Sequence, residues 1–254
     1  MQSAEYDRMF ALEGDHWWFV GRRVLALDLL DRFAKSHPRC LDLGCGTGVV
    51  SQELARRGSA TSLDMSPLAL GYSRRRGLER LVRGDAEAMP FGAETFDAVV
   101  SLDLFEHLAS DRAGIGEAYR VLRPGGVLVL SVPAMMSLWG PHDVALMHHR
   151  RYSKMEVVER LQEAGFRVRR CSYSVCFLYP IVRAVRALER RRRGEPRSSL
   201  RPLPGWLNWL LTGIQRLEAA LLGSFDLPWG SSVVAVAERR PDLPAATALP
   251  HAAS

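Results

Sequence analysis

The sequence predicts a doubly wound α/β protein on a seven-stranded, mostly parallel sheet, with a helical segment ahead of it and a helical insertion before the last strand. Three observations carry that expectation. Strand-length apolar segments alternate with helix-length segments along most of the 254 residues, as a parallel sheet covered on both faces requires. Phe96–Leu102 (FDAVVSL) and Val127–Val132 (VLVLSV) are apolar and β-branched, as strands buried on both faces should be. The composition, 47% hydrophobic and 24% charged, is ordinary for a globular chain, and the length suits one such domain with an elaboration.

Residues 4–36 read as helical and carry the aromatic cluster His16-Trp17-Trp18-Phe19, followed by Gly21-Arg22-Arg23. Arg39–Leu43 is a short strand ending in glycines, and Val49–Arg57 is a helix stopped by Gly58. Ala60–Asp64 is a second strand, and Pro67–Arg76 a helix with proline in its first turn. Leu81–Arg83 is a short third strand ahead of Phe96–Leu102. Arg112–Leu122 is a helix, and Arg123-Pro124-Gly125-Gly126 is a turn into Val127–Val132. Ser153–Ala164 is a helix in which Ser153 is the N-cap and Glu156 completes a capping box, with Gly165 ending it. Phe166–Val175 and Ser232–Glu238 are the last two strands. Between Cys176 and Gly230, two apolar-and-basic helical segments stand where a short hairpin link would suffice. The expected plan is therefore a helical lid at 1–36, a core at 37–175 and 231–240, a helical insertion or cap at 176–230, and an Ala- and Pro-rich disordered tail at 241–254.

A net charge of +6 ordinarily raises nucleic acid as a partner. Residues 183–201 alone, however, hold eight Arg and two Glu, an excess equal to the whole imbalance, so no nucleic-acid-binding face is expected. Cys40, Cys45, Cys171 and Cys176 have no CxxC spacing and read as buried free thiols in a reducing cytoplasm. The N-terminus lacks the basic-then-apolar order of a signal peptide, and no apolar run approaches the ~20 residues of a membrane span. A cytoplasmic protein is expected, at most peripheral on the inner membrane surface.

The strongest signal is Leu41-Asp42-Leu43-Gly44-Cys45-Gly46-Thr47-Gly48, a strand running through a glycine loop into a helix. That is the geometry in which a ligand meets a helix N-terminus, and glycines there let it approach the backbone. A dinucleotide fingerprint would require glycine at Val49, and a phosphate-binding loop would require Gly-Lys-Ser/Thr. Asp42, just before the glycines, would repel a pyrophosphate and suits a ligand with a cationic amine. Asp64 closes the next strand, where a carboxylate can accept both hydroxyls of a ribose. Asp85 closes the third strand at the same edge, where it can accept from an adenine amine. Ser101-Leu102-Asp103-Leu104-Phe105-Glu106-His107 follows the fourth.

LDLGCGTG, the acid in SLDMS, GDAEAMPF, FDAVVSLDLFEHL and LRPGG, in this order from about Arg39 to Val132, resemble the class I S-adenosylmethionine-dependent methyltransferases, the type-11 group in particular. That resemblance implies a Rossmann-like fold and S-adenosyl-L-methionine as cofactor. It implies Gly44 and Gly46, with Cys45 between them, at the methionine part, and Asp64 with neighbouring Met65 at the ribose. Asp85 and Ala86 would meet the adenine, and the Ser101–Asp103 backbone, with Leu102, would lie near the methionine amine. HWWFxGRR and HHRRYS resemble a bacterial subgroup of the same enzymes and extend the likeness over most of the chain.

Methyl transfer asks chiefly for positioning and water exclusion, with a general base only for a protonated acceptor. His107, in the EHL segment, is a candidate beside the cofactor or a structural support. His142 and His148, in the WGPHD and MHHRRY segments after the fifth strand, are candidate bases in an acceptor pocket or plain loop packing. No metal is expected, because adjacent His148 and His149 rarely share one ion in a loop. Arg22 can pair with a carboxylate such as that of the methionine moiety, and Trp18 and its neighbours can close the pocket, or this helix simply packs on the domain.

The insertion alternates Phe177, Leu178, Ile181, Val182, Val185 and Leu188 with Arg183, Arg186 and Arg190, and continues through Trp206 and Trp209. It reads as a cap over the acceptor pocket, a dimer contact, or a basic amphipathic surface for an anionic membrane through 177–222. A small-molecule or lipid-linked acceptor suits either a cap or a membrane surface. Amino-methylation of nucleic-acid bases would need Asn/Asp-Pro-Pro-aromatic after the fourth strand, where the chain has Ser101-Leu102-Asp103-Leu104, and cytosine methylation would need a Pro-Cys dipeptide, absent here. The remaining alternative is a non-catalytic cofactor-binding partner or membrane-associated scaffold.

Overall fold

A computed structural model describes residues 3–191 and 202–241. Helices α1 (Ser3–Leu12) and α2 (Trp17–Phe33) precede β1 (Arg39–Leu43), α3 (Val49–Ala55), β2 (Ser59–Asp64), α4 (Pro67–Arg75), β3 (Leu81–Arg83) and β4 (Phe96–Leu102). Then come α5 (Asp111–Val121), β5 (Leu122–Pro133), α6 (Pro141–Ala145), α7 (Lys154–Glu163), β6 (Phe166–Ser174), α8 (Tyr179–Arg191), α9 (Gly205–Leu222) and β7 (Ser232–Arg239). The strands form one sheet in the order β3-β2-β1-β4-β5-β7-β6. β1 to β5 run parallel, and β7 runs antiparallel to both its neighbours. This is the seven-stranded, mostly parallel sheet that the alternation predicts.

The period of two along each strand divides the core into two layers. Leu41, Leu43, Val99, Leu128 and Leu130 face Ile115 and Ala118 of α5 and Val157 and Leu161 of α7. Cys40, Ala98, Val100, Val127 and Val129 face Leu25, Leu29 and Leu30 of α2, with Val50 and Leu54 of α3. Each fully buried Val, Leu or Ile contributes roughly 1.5–3 kcal/mol, so both layers are needed to hold the sheet edge still. Ser153 and Glu156 form the expected capping box on α7.

Two segments differ from expectation. Arg123-Pro124-Gly125-Gly126 is not a turn ahead of a strand but a bulged stretch inside β5. The pairing steps from Phe96↔Leu122 to Ala98↔Val127, Gly125 supplies a φ of +77°, and Arg123 is anchored on Asp97 at 2.9 Å. Arg123–Gly126 carry no partner on β4, so the break that their composition signals appears as a register shift, and pairing resumes at Val127. The second is the insertion, which divides in two. Ala219 and Leu222 of α9 join the α2 core layer, and a Cβ on Gly21 of α2 would stand 2.6 Å from Gln215 Cβ, so the two helices meet at a glycine-sized gap. α8 instead leaves Ile181, Val185 and Leu188 exposed. Arg192, Arg193 and residues 242–254 of the expected tail lie outside the described residues.

Non-glycine residues with left-handed backbone gather just past the strand ends: Asp103 after β4, Met135 after β5 and Val175 after β6. Such conformations persist only where the surroundings fix them, and they cluster at functional edges. At Val175 the fixing group is visible. The buried Glu218 carboxylate of α9 accepts from the backbone N–H groups of Val175, Cys176 (2.7 Å) and Phe177 (3.0 Å).

Candidate functional site

The carboxyl ends of β1 to β5 form the edge on which the predicted residues fall. The turn after β1 is docked on β2, with the Gly44 and Cys45 N–H groups donating to the Leu63 carbonyl at 2.9 and 3.0 Å. Gly44 and Gly46 have φ of +77° and +53°. A Cβ would lie 2.9 Å from Leu104 at the first and 3.0 Å from the Met9 methyl at the second. Asp64 holds the turn from the next strand, accepting from Gly46 N–H at 3.0 Å and from Ser66 N–H at 2.8 Å. Met65 beside it is exposed. Asp85 is exposed at a tight turn, accepting from Glu87 N–H at 2.9 Å, and Ala86 is buried behind it. Asp42 points into the protein, where it accepts from Ser51 Oγ at 2.5 Å and burial pushes its pKa up to about 7. Cys45 is a buried free thiol whose pKa burial raises.

The N-terminal helices close over this edge. Tyr6 of α1 is buried against Ser66. Glu13, just past α1, accepts from Thr47 Oγ1 in the glycine turn and pairs with Arg76 at 2.6 Å, while Arg76 donates to the Thr47 carbonyl at 2.8 Å. Sequence reasoning missed Glu13, Thr47 and Arg76, because a lone acid in a helical segment carries no signal of a partner far along the chain. Arg22 of α2 was expected to be open to a ligand carboxylate. The structure gives it a protein partner, Asp103, because a guanidinium buried deeply enough to pull its pKa down to about 10 needs a counter-charge. Arg22 Nε, Asp103 Oδ1 and Ser101 Oγ remain buried without a hydrogen-bond partner. Leu102, ending β4, is buried. Trp18 lies with Arg22, Ser131, Ser174, Gln215 and Ser232 around a cavity of about 10 Å³, at the ends of β5, β6 and β7.

The histidines come together at the same edge. His107 and His148 meet edge-on with ring centroids 4.7 Å apart, and His142 stands 6.3 Å from His148. Burial draws the pKa of His107 down to about 4 and that of His142 to about 3. His148 is braced through Nδ1 by Asp143 at 2.9 Å, and Arg151 pairs with the same Asp143 oxygen at 2.8 Å. Burial would raise the Asp143 pKa, but these two partners hold it well below the usual carboxylate range. The loop is tied to the segment that follows β4, where His149 N–H donates to the Glu106 carbonyl at 2.8 Å. The Glu106 side chain is fully buried with neither oxygen hydrogen-bonded, and burial pushes it up to about 8. Glu106, His107 and His148 each offer a ligand atom within 4.8 Å of the other two. Above them, Arg190 of α8 donates to the Ser137 and Trp139 carbonyls at 2.7 and 3.3 Å.

Residues 41–130 match the family described as the methyltransferase domain. A 2-methyl-6-phytyl-1,4-hydroquinone methyltransferase of rice (Oryza sativa subsp. japonica) is 33% identical over 156 residues, 59% of this chain and 44% of that protein. A ubiquinone biosynthesis O-methyltransferase of Xanthomonas oryzae pv. oryzae is 33% identical over 144 residues, 50% of this chain and 60% of the other. The chain thus spans about half the length of these relatives. A solved structure from Thermotoga maritima, of an S-adenosylmethionine-dependent methyltransferase, shares the fold with a TM-score of 0.59 at 19% identity, covering 93% of this chain and 96% of that one.

Proposed function

We propose that this chain is a class I S-adenosylmethionine-dependent methyltransferase, a reading supported by the match of residues 41–130 to the methyltransferase domain, and that it carries a methyl group to a small, lipid-like acceptor. One observation carries the reading: the glycine turn at Gly44 and Gly46, tied to Asp64, shares a single sheet edge with Asp85 and the buried, unpartnered atoms of Asp103 and Arg22.

The donor set fits the cofactor. The orphan Arg22 Nε is a donor suited to a carboxylate, and the orphan Asp103 Oδ1 is an acceptor suited to an ammonium, the two ends of an amino acid. Gly44, Cys45 and Gly46 would cradle that end. Asp64 keeps lone pairs for ribose hydroxyls, and Asp85 with Ala86 would receive the adenine. Bound there, S-adenosyl-L-methionine supplies a methyl group on an electrophilic sulfonium. The protein's part is to orient and to exclude water, worth up to roughly 7–11 kcal/mol in favourable cases. α1, fastened by Glu13 to Thr47 and Arg76, acts as the lid, with Trp18 and the rest of α2 behind it. His107, His142 and His148 line the acceptor side, and burial depresses the pKa values of His107 and His142, which favours their neutral forms.

The rice and Xanthomonas relatives, named for a phytyl hydroquinone and for ubiquinone biosynthesis, support an acceptor with a hydrocarbon tail. α8 supports it too, as a cap over the histidines whose outer side is apolar and basic. No helix among the described residues is long and apolar enough to cross a membrane, and a peripheral position on the cytoplasmic face of the inner membrane would bring such an acceptor to the cap.

The test is calorimetric titration of S-adenosyl-L-methionine, its demethylated product and NAD into wild type, Asp64→Ala and Gly46→Val. Micromolar binding of the first two, lost in both variants, is expected. Binding of NAD instead, or of none of the three, would overturn the reading.

A further inference from the structure

We propose that Glu106, His107 and His148 form a binding site for a divalent zinc-type ion, against the expectation of a metal-free pocket. Three independent features of the cluster point to a cation. Their ligand atoms all lie within 4.8 Å of one another. A zinc ion about 2.0–2.2 Å from each would draw them to within about 3.5 Å, a shift that side-chain rotation can supply. Glu106 is fully buried with both oxygens lacking a hydrogen-bond partner, a state costly for a carboxyl group that nothing satisfies. Both imidazoles are already oriented from behind. His148 uses Nδ1 on Asp143, which leaves Nε2 as the nitrogen to offer an ion, and His107 is hydrogen-bonded to the Met147 backbone. A carboxylate behind a histidine ligand is the usual support for a bound metal, fixing the tautomer and the ring direction.

The donor set selects the ion. Two imidazoles and one carboxylate suit zinc and its transition-metal neighbours, whereas magnesium and calcium prefer oxygen ligands alone. Three protein ligands leave a coordination position open, the arrangement of catalytic rather than structural zinc. The site begins three residues after Asp103 on the same strand end, beside the proposed cofactor cleft. An ion there would hold and polarise an acceptor oxygen, which narrows the acceptor to a hydroxyl compound such as a phenol or enol. That last step rests on the methyl-transfer reading, while metal binding does not.

The experiment loads metal-free wild type with Zn2+, desalts it and measures metal content by plasma mass spectrometry, with Glu106→Gln, His148→Gln and Asp143→Asn alongside. Co2+ titration of wild type, read by its visible absorption, reports imidazole and carboxylate ligation without any variant. S-adenosyl-L-methionine calorimetry on the same samples is run in parallel. We expect one zinc per chain in wild type, loss of zinc in the two ligand variants, and affinity weakened about 10–100-fold in Asp143→Asn. Wild type that leaves desalting without zinc and gives no cobalt band overturns the site, as do folded ligand variants that keep as much zinc as wild type. Zinc bound without cofactor binding would sink the methyl-transfer reading and leave the site standing. Cofactor binding without zinc would do the reverse.

Discussion

Asp42 illustrates how one residue is set by surroundings that its neighbours in sequence do not disclose. Its place before the glycines suggested a charge facing a ligand, yet it is buried with Ser51 and Ser62, and burial raises its pKa from 3.8 to about 7. The folded protein therefore keeps a proton there that the unfolded chain releases near pH 4. The stability this contributes is fully present below about pH 4 and is lost as pH rises through about 7. Asp42→Asn should flatten the dependence of unfolding free energy on pH across that window by on the order of 1 kcal/mol or more. Urea melts of both proteins at about pH 4 and about pH 8 measure it, and parallel curves for variant and wild type would show that Asp42 is ionised throughout.

At the scale of elements, the edge at the carboxyl ends of the strands depends on contacts between helices far apart in sequence. α9 docks against α2 at Gly21 and sends Glu218 to hold three backbone N–H groups where β6 gives way to α8. Val175, β-branched and left-handed, has no reason to keep its conformation without that carboxylate. Glu218→Ala should cost about 2–3 kcal/mol, the scale of losing hydrogen bonds to a charged group, with part of it restored by Glu218→Gln. A change under about 0.5 kcal/mol, the usual range of an unremarkable surface site, would mean that the β6–α8 connection holds itself. The sequence read both segments as helical, α9 from its apolar spacing, but the pairing of α9 with α2 required the fold.

Across the whole molecule, the outer surface is uneven. Ile181 and Leu188 of α8 are 59% and 57% exposed, and Trp206 and Trp209 near the start of α9 are 70% and 78% exposed. Arg183 and Arg190 share α8 with the exposed aliphatics. A basic helix with an exposed apolar side and nearby Trp binds anionic interfaces, each Arg adding about 1 kcal/mol. Wild type should therefore co-sediment with anionic vesicles more than with neutral ones, and Ile181→Asp with Leu188→Asp should reduce that binding about tenfold or more. Equal partitioning of wild type and the double variant would leave this surface to another role.

The sequence by itself determined the sheet, the glycine turn, and the acids at the ends of β2 and β3. Each of these is local: a period of two, a glycine where φ must be positive, a carboxylate one strand length further on. It also placed three histidines in the segments that follow the fourth and fifth strands. Only the tertiary structure decided which partners they meet. Glu106 beside His107 and His148, Arg22 on Asp103, and Glu13 on Thr47 and Arg76 are contacts between segments up to 81 positions apart. Nothing local records such pairs, because burial and charge balance are satisfied in space rather than along the chain.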